Sequence, residues 1–119
     1  MSIKFFDAEL NVMNVLWQEG DKTAKQISEI LEEKIGWNIN TTYTLIKRCI
    51  TKDAVERIEP NFVCRALVTK EEVQETETDE LINKVYDGSA EMLCAALLGR
   101  KKLSSEQIER LKQIVEEWE

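Results

Sequence analysis

Apolar side chains recur along this chain at a helical spacing, then briefly at a strand-like one, then at a helical spacing again. From Asn38 to Lys52 the clearest stripe is Thr42, Leu45, Ile46 and Cys49, at i, i+3, i+4 and i+7 on one side of a helix. Upstream, Leu10, Met13, Leu16 and Trp17 trace a first helix, with Asp7 as its N-cap and Gly20 as its stop. Phe5 or Phe6 stands where a residue before the cap staples onto the first turn. Thr23 and Gln26 have the spacing of a capping box; the second helix they open turns Ile27, Ile30 and Leu31 inward and closes at Gly36. Trp37 is the expected plug between the second and third helices, and Asn38 caps the third. After Asp53 the pattern changes: residues 55–59 and 62–68 are rich in β-formers, and Pro60-Asn61 between them marks a hairpin turn.

From Thr69 the helical spacing returns. Residues 71–87 carry Val73, Leu81, Ile82, Val85 and Tyr86 and run into Gly88. Ser89 is placed to cap residues 90–98, a stretch containing Met92, Leu93, Cys94, Leu97 and Leu98 that is too apolar to be left exposed, and Gly99 breaks it. Ser104 and Gln107 make another capping box, and Ile108, Leu111, Val115 and Trp118 follow at i, i+3, i+7 and i+10, a heptad-like seam. The predicted fold is therefore mainly α with a small β-hairpin wing. Residues 1–70 form a winged helix-turn-helix and residues 71–119 a three-helix arm. The arm is too small to bury its own apolar faces, so it is expected to pair with a second copy through Ile82, Val85, Tyr86, Leu93, Leu97, Ile108, Leu111, Val115 and Trp118. Folding back onto the winged unit within one chain is the alternative.

Composition narrows the function. With 119 residues, 43% hydrophobic and 33% charged, the chain has the balance of one globular domain with or without an arm. It shows no run near the ~20 apolar residues of a membrane span and no signal pattern, so it reads as cytoplasmic. The absence of histidine removes the commonest general base and metal ligand. Cys49, Cys64 and Cys94 form no CxxC pair, which fits buried reduced thiols better than a disulfide frame or a zinc site. No cofactor or metal is expected, and with no Gly-rich phosphate loop and no nucleophile beside a base, an enzyme is a poor reading.

A net charge of −7 argues against indiscriminate nucleic-acid binding, but the charge is unevenly spread. Residues 1–70 hold ten basic and ten acidic side chains, residues 71–119 six and thirteen. On the third helix, opposite its apolar stripe, stand Asn40, Thr41, Tyr43, Thr44, Lys47, Arg48, Thr51 and Lys52, with no carboxylate among them. Amides, hydroxyls, a phenol and cations are the groups that read base edges and hold phosphates. Asn40, Thr41, Tyr43, Thr44, Lys47 and Arg48 are accordingly the expected DNA contacts, joined by Arg57 and Arg65 from the wing. Two plainer readings stay open: a solvated helix face, and a winged helix used for protein contacts.

The segments Trp37-Asn38-Ile39-Asn40-Thr41-Thr42-Tyr43-Thr44-Leu45-Ile46-Lys47-Arg48 and Ile82-Asn83-Lys84-Val85-Tyr86-Asp87-Gly88, with the opening Ala8-Glu9-Leu10-Asn11-Val12-Met13-Asn14-Val15-Leu16-Trp17, resemble the penicillinase and methicillin-resistance repressors (the BlaI/MecI family). The resemblance covers nearly the whole chain. It implies a homodimeric repressor on a palindromic double-stranded operator, controlling a β-lactamase or similar gene. It also implies a membrane sensor protease pathway that ends in cleavage of the arm. The corresponding bond here is Ala96-Leu97, where the family's best-known members carry Asn-Phe. A related branch senses copper through paired C-terminal cysteines, a pair this chain lacks.

Overall fold

The computed structural model describes residues 3–118 and divides into two units, Met1–Thr76 and Glu77–Glu119. The first contains α1 (Asp7–Glu19), β1 (Lys22–Thr23), α2 (Ala24–Ile35), α3 (Ile39–Thr51), β2 (Val55–Ile58), β3 (Val63–Ala66) and the opening turns of α4 (Lys70–Val85). Val73 is buried with the core of this unit, which is why the division falls after Thr76 and not at residue 70.

Helix starts follow side-chain chemistry closely. Asn38 Oδ1 accepts the Thr41 N–H at 2.8 Å, and Thr23 and Gln26 satisfy each other's backbone N–H groups at 3.1 and 2.9 Å. The expected cap at Asp7 is corrected by one residue. The cap is Phe6, whose N–H is accepted by Glu9 Oε1 at 2.8 Å, and Asp7 lies in the first turn, where its charge meets the positive end of the helix dipole. Phe5 is the aromatic that enters the core, while Phe6 stays exposed. Gly36 ends α2 in the left-handed conformation (φ 73°), which a glycine adopts without steric cost.

The core sits between the three helices and the sheet: Val12, Met13, Val15 and Leu16 from α1, Ala24, Ile27 and Leu31 from α2, Leu45, Ile46 and Cys49 from α3, Val55 and Cys64 from the strands. The stripe on α3 is buried as its spacing predicts, Thr42 included. On α1 the buried face is rotated from the expectation. Glu9, Val12 and Val15 lie inside, while Leu10 and Trp17 are half-buried at its edges. Trp17 donates its indole N–H to the Val68 carbonyl at 3.0 Å, tying α1 to the end of the wing.

The sheet order is β1-β3-β2, antiparallel throughout, with Val55 opposite Ala66 and Ile58 opposite Val63. The hairpin is the predicted one, but β1 was not predicted. Its two residues pair Lys22 with Cys64 and Thr23 with Val63, a strand too short to show any alternation.

The second unit holds the rest of α4, then α5 (Ala90–Gly99) and α6 (Ser105–Glu117). Ser89 caps α5 through the Met92 N–H, and Ser104 with Gln107 forms the expected capping box on α6. Within this chain Met92, Leu97 and Leu98 are exposed in α5, and no residue of α5 or α6 is fully buried. The short apolar helix has too little chain around it to be covered.

Candidate nucleic-acid interface

The carboxylate-free side of α3 forms one continuous surface. Ile39, Asn40, Tyr43, Thr44 and Lys47 line one shallow hollow. Phe6, Glu9, Thr44, Lys47, Arg48, Thr51 and Lys52 line a second, and Thr44 and Lys47 belong to both. Asn40, Thr44, Lys47 and Arg48 are exposed; Thr41 and Tyr43 are half-buried. Lys47 and Arg48 form none of the ion pairs seen among the described residues, so their charges face solvent uncompensated. The Thr44 hydroxyl donates to the Asn40 carbonyl at 2.9 Å, which leaves its lone pairs free to accept.

Two clamps fix this helix. At its C-terminal end Lys52 Nζ lies 2.6 Å from Glu9 Oε1 and donates to the Lys4 carbonyl at 2.7 Å, with the rings of Phe5 and Phe6 centred 5.8 and 4.7 Å away. Glu9 is buried, so its carboxylate depends on Lys52 and on the Phe6 N–H for compensation. Lys52 is thereby engaged inside the fold and is not a free member of the polar face. Towards the N-terminal end, the Tyr43 and Phe62 rings meet edge to face with centroids 5.8 Å apart. The Arg57 guanidinium stacks 3.7 Å from the centre of Phe62. Phe62 itself has φ 53°, strained for a bulky residue. Three contacts offset that strain: the ring stack, the Phe62 N–H to Glu59 Oε1 bond at 3.2 Å, and the Ala24 N–H to Phe62 carbonyl bond at 2.9 Å. The wing tip is thus locked against the helix.

The wing arginines are not bare cations. Arg57 pairs with Glu59, and Arg65 with Asp21 at 3.0 Å. All four side chains are exposed, so each pair is worth about 0–1 kcal/mol.

The model of the penicillinase repressor family matches residues 6–117. The chain belongs to the penicillinase repressor family. Relatives include the methicillin resistance regulatory protein MecI of Staphylococcus aureus, 31% identical over 91% of this chain and 89% of that protein. The penicillinase repressor of Bacillus licheniformis is 28% identical over 93% and 88%. Among solved structures, the solution structure of the DNA-binding domain of the repressor BlaI superposes with a TM-score of 0.55 at 25% identity, over 59% of this chain and 88% of that one. The fold of the family's DNA-binding unit is therefore the winged helix described above, in a family of DNA-binding transcriptional repressors and not of enzymes.

The cysteines divide by burial. Burial, followed by the neighbouring Glu9 carboxylate, pushes the Cys49 thiol up to about 12, and burial pushes Cys64 up to about 11, so both stay protonated and inert. Cys94 is exposed, a correction to the expectation that all three thiols are buried. Among the described residues no group of three His, Cys, Asp or Glu side chains could hold a metal, and no helix is long and apolar enough to cross a membrane. Sequence reasoning missed Glu9, Ile39 and Phe62. Glu9 was hidden because the cap three residues before it is Phe6, not a residue type that marks a helix start, and the backbone conformation that seats Phe62 leaves no mark in the pattern.

In the arm, Leu98, Ile108, Leu111, Lys112, Val115 and Glu116 line a hollow between α5 and α6. Of the expected pairing residues, Val85, Leu97, Ile108, Leu111, Val115 and Trp118 are exposed, and Ile82, Tyr86 and Leu93 half-buried.

Proposed function

We propose that this chain acts in the cytoplasm as a homodimeric repressor that reads a palindromic double-stranded operator of a β-lactamase or similar resistance gene. The observation that carries the reading is the carboxylate-free face of α3, with Lys47 and Arg48 exposed and unpaired on a helix clamped at both ends. In a winged helix this element enters the major groove. Asn40, Thr41, Tyr43 and Thr44 near its start approach base edges, Lys47 and Arg48 reach bases or phosphates, and Arg57 and Arg65 meet the backbone. Membership of the penicillinase repressor family supports operator binding and resistance genes as the target.

Dimerisation through the arm follows from ten large apolar side chains exposed on α4, α5, α6 and the residue after it, from Leu81 to Trp118. Two half-sites then bind with the effective concentration of a linked pair. Release follows cleavage at Ala96–Leu97 in α5 by a pathway that starts at a membrane sensor protease. Leu97 is exposed, and a cut there separates α6 from α4.

The test is fluorescence anisotropy of the full chain on a duplex selected from a random pool. Lys47→Ala and Arg48→Ala should each weaken binding by about 1–3 kcal/mol where the contact is to a base, or lower the salt slope by about 1 where it is to a phosphate. Unchanged binding in both variants would remove α3 from the interface.

A further inference from the structure

The first residue of α3 differs in kind from its neighbours on the exposed surface. Ile39 is 52% exposed and lines the same shallow hollow as Asn40, Tyr43, Thr44 and Lys47. Leu45, Ile46 and Cys49 of the same helix are buried and Ile50 is half-buried, so among the described residues Ile39 is the one large aliphatic that α3 exposes. Ile35, at the end of α2, is exposed too but does not line the hollow.

A solitary exposed aliphatic on an ordinary surface needs no account. Ile39 stands elsewhere, at the start of a helix whose first turns meet the base edges when it docks. Folding does not explain its apolarity. Half its surface is outside the core, and the start of α3 is already fixed by Asn38, which accepts the Thr41 N–H at 2.8 Å. A β-branched residue brings no propensity advantage at the opening of a helix.

The floor of the major groove presents hydrogen-bond donors and acceptors with one exception, the C5-methyl group of thymine. Covering a polar edge with an isoleucine side chain strips water from it and returns no hydrogen bond, which is costly; covering a methyl group is favourable. We propose that Ile39 is a specificity-determining residue that reads the C5-methyl group of one thymine in each half-site. Its neighbours satisfy the polar edges around that methyl. This assignment rests on α3 being the recognition helix.

The experiment uses the full chain and a synthetic duplex of the sequence it selects from a random pool. Each half-site thymine is replaced in turn by deoxyuridine, which removes the methyl and nothing else. At one position the unaltered protein should lose about fourfold in affinity for each methyl removed. Ile39→Ala should bind the thymine duplex more weakly and no longer distinguish the two. Lys47→Ala, weaker overall, should keep the thymine preference. Indifference of the unaltered protein to deoxyuridine at every position overturns the proposal. So does a consensus with no thymine in the half-site, or an Ile39→Ala variant with the full preference. If Lys47→Ala weakens binding while no methyl matters, the thymine assignment alone falls. If neither Lys47→Ala nor Arg48→Ala alters duplex binding, the recognition-helix reading falls and takes this one with it.

Discussion

Ile46 and Val115 occupy comparable places, each an apolar residue on the stripe of an amphipathic helix capped by a side chain, yet Ile46 is fully buried and Val115 is 68% exposed. The same contrast holds between the two units. In Met1–Thr76 three helices and a three-stranded sheet close around one interior. In Glu77–Glu119 the helices form with equally good caps, but α5 and α6 have no interior to face. Local signals suffice to make a helix; burying its face takes more surrounding chain than the arm has. The first unit closes its core with its own chain, whereas covering the arm's apolar faces is left to the partnership with a second copy proposed above.

The largest effect should come from breaking that partnership. Leu111→Asp places a carboxylate in the apolar stripe of α6, and sedimentation should shift from dimer to monomer. Linked half-sites gain about 10²–10⁴ in avidity, so operator binding should fall by at least a hundredfold while the winged unit keeps its fold. A dimer that persists in this variant would place the pairing surface elsewhere.

The first unit is tested at Glu9, the one buried charge among its described residues. Lys52→Ala leaves the Glu9 carboxylate inside the protein with only the Phe6 N–H, and should cost about 3 kcal/mol in urea unfolding. Glu9→Gln combined with Lys52→Met should recover most of that loss, since the burial penalty disappears with both charges. If the double variant is no more stable than Lys52→Ala, the pair is not the clamp it resembles.

Helix positions, the hairpin and the buried stripe of α3 were legible in the sequence because they depend on spacing and capping over a few residues. The boundary between units was less so, since Val73 joins the core only through tertiary packing. Among the residues proposed to meet DNA, Asn40, Thr44, Lys47 and Arg48 are exposed, but Lys52 could not be told from them by spacing. On a helical wheel it belongs to the polar face, and only the fold brings Glu9 to it from 43 residues away. Phe62 was opaque for a related reason, as its role follows from a backbone conformation set by contacts distant in sequence.

Alkaline pH gives a smaller, graded test. Cys49, pushed up to about 12 by burial, and Cys64, pushed up to about 11, keep their protons in the folded state, while in the unfolded chain they lose them near the ordinary value of 9.0. Because the folded values are the raised ones, the stabilisation is complete below pH 9 and is lost as pH climbs from there towards 11–12. Each thiol should contribute a decline of at most about 1.4 kcal/mol per pH unit in that window. Cys49→Ala should start from a lower stability and fall less steeply between pH 9 and 10.5. Parallel slopes in the two proteins would show that other groups govern the alkaline limb.

The smallest expected effect has the opposite sign. Thr42 is fully buried on the α3 stripe, and its hydroxyl oxygen has no hydrogen-bond partner among the described residues. The methyl and β-branch fill the site; the hydroxyl is desolvated without return. Thr42→Val keeps the shape and removes the polar atom, so it should raise stability by about 1 kcal/mol, read as a higher urea midpoint at unchanged slope. The gain should be confined to the first unit, with dimerisation through the arm unaffected. Operator binding by a protein with an intact arm should then stay as it was, because Thr42 faces away from the surface that Asn40, Thr44 and Lys47 present. A loss of stability would mean that the hydroxyl finds a partner in solution, and that the interior beneath α3 is wetter than its packing indicates.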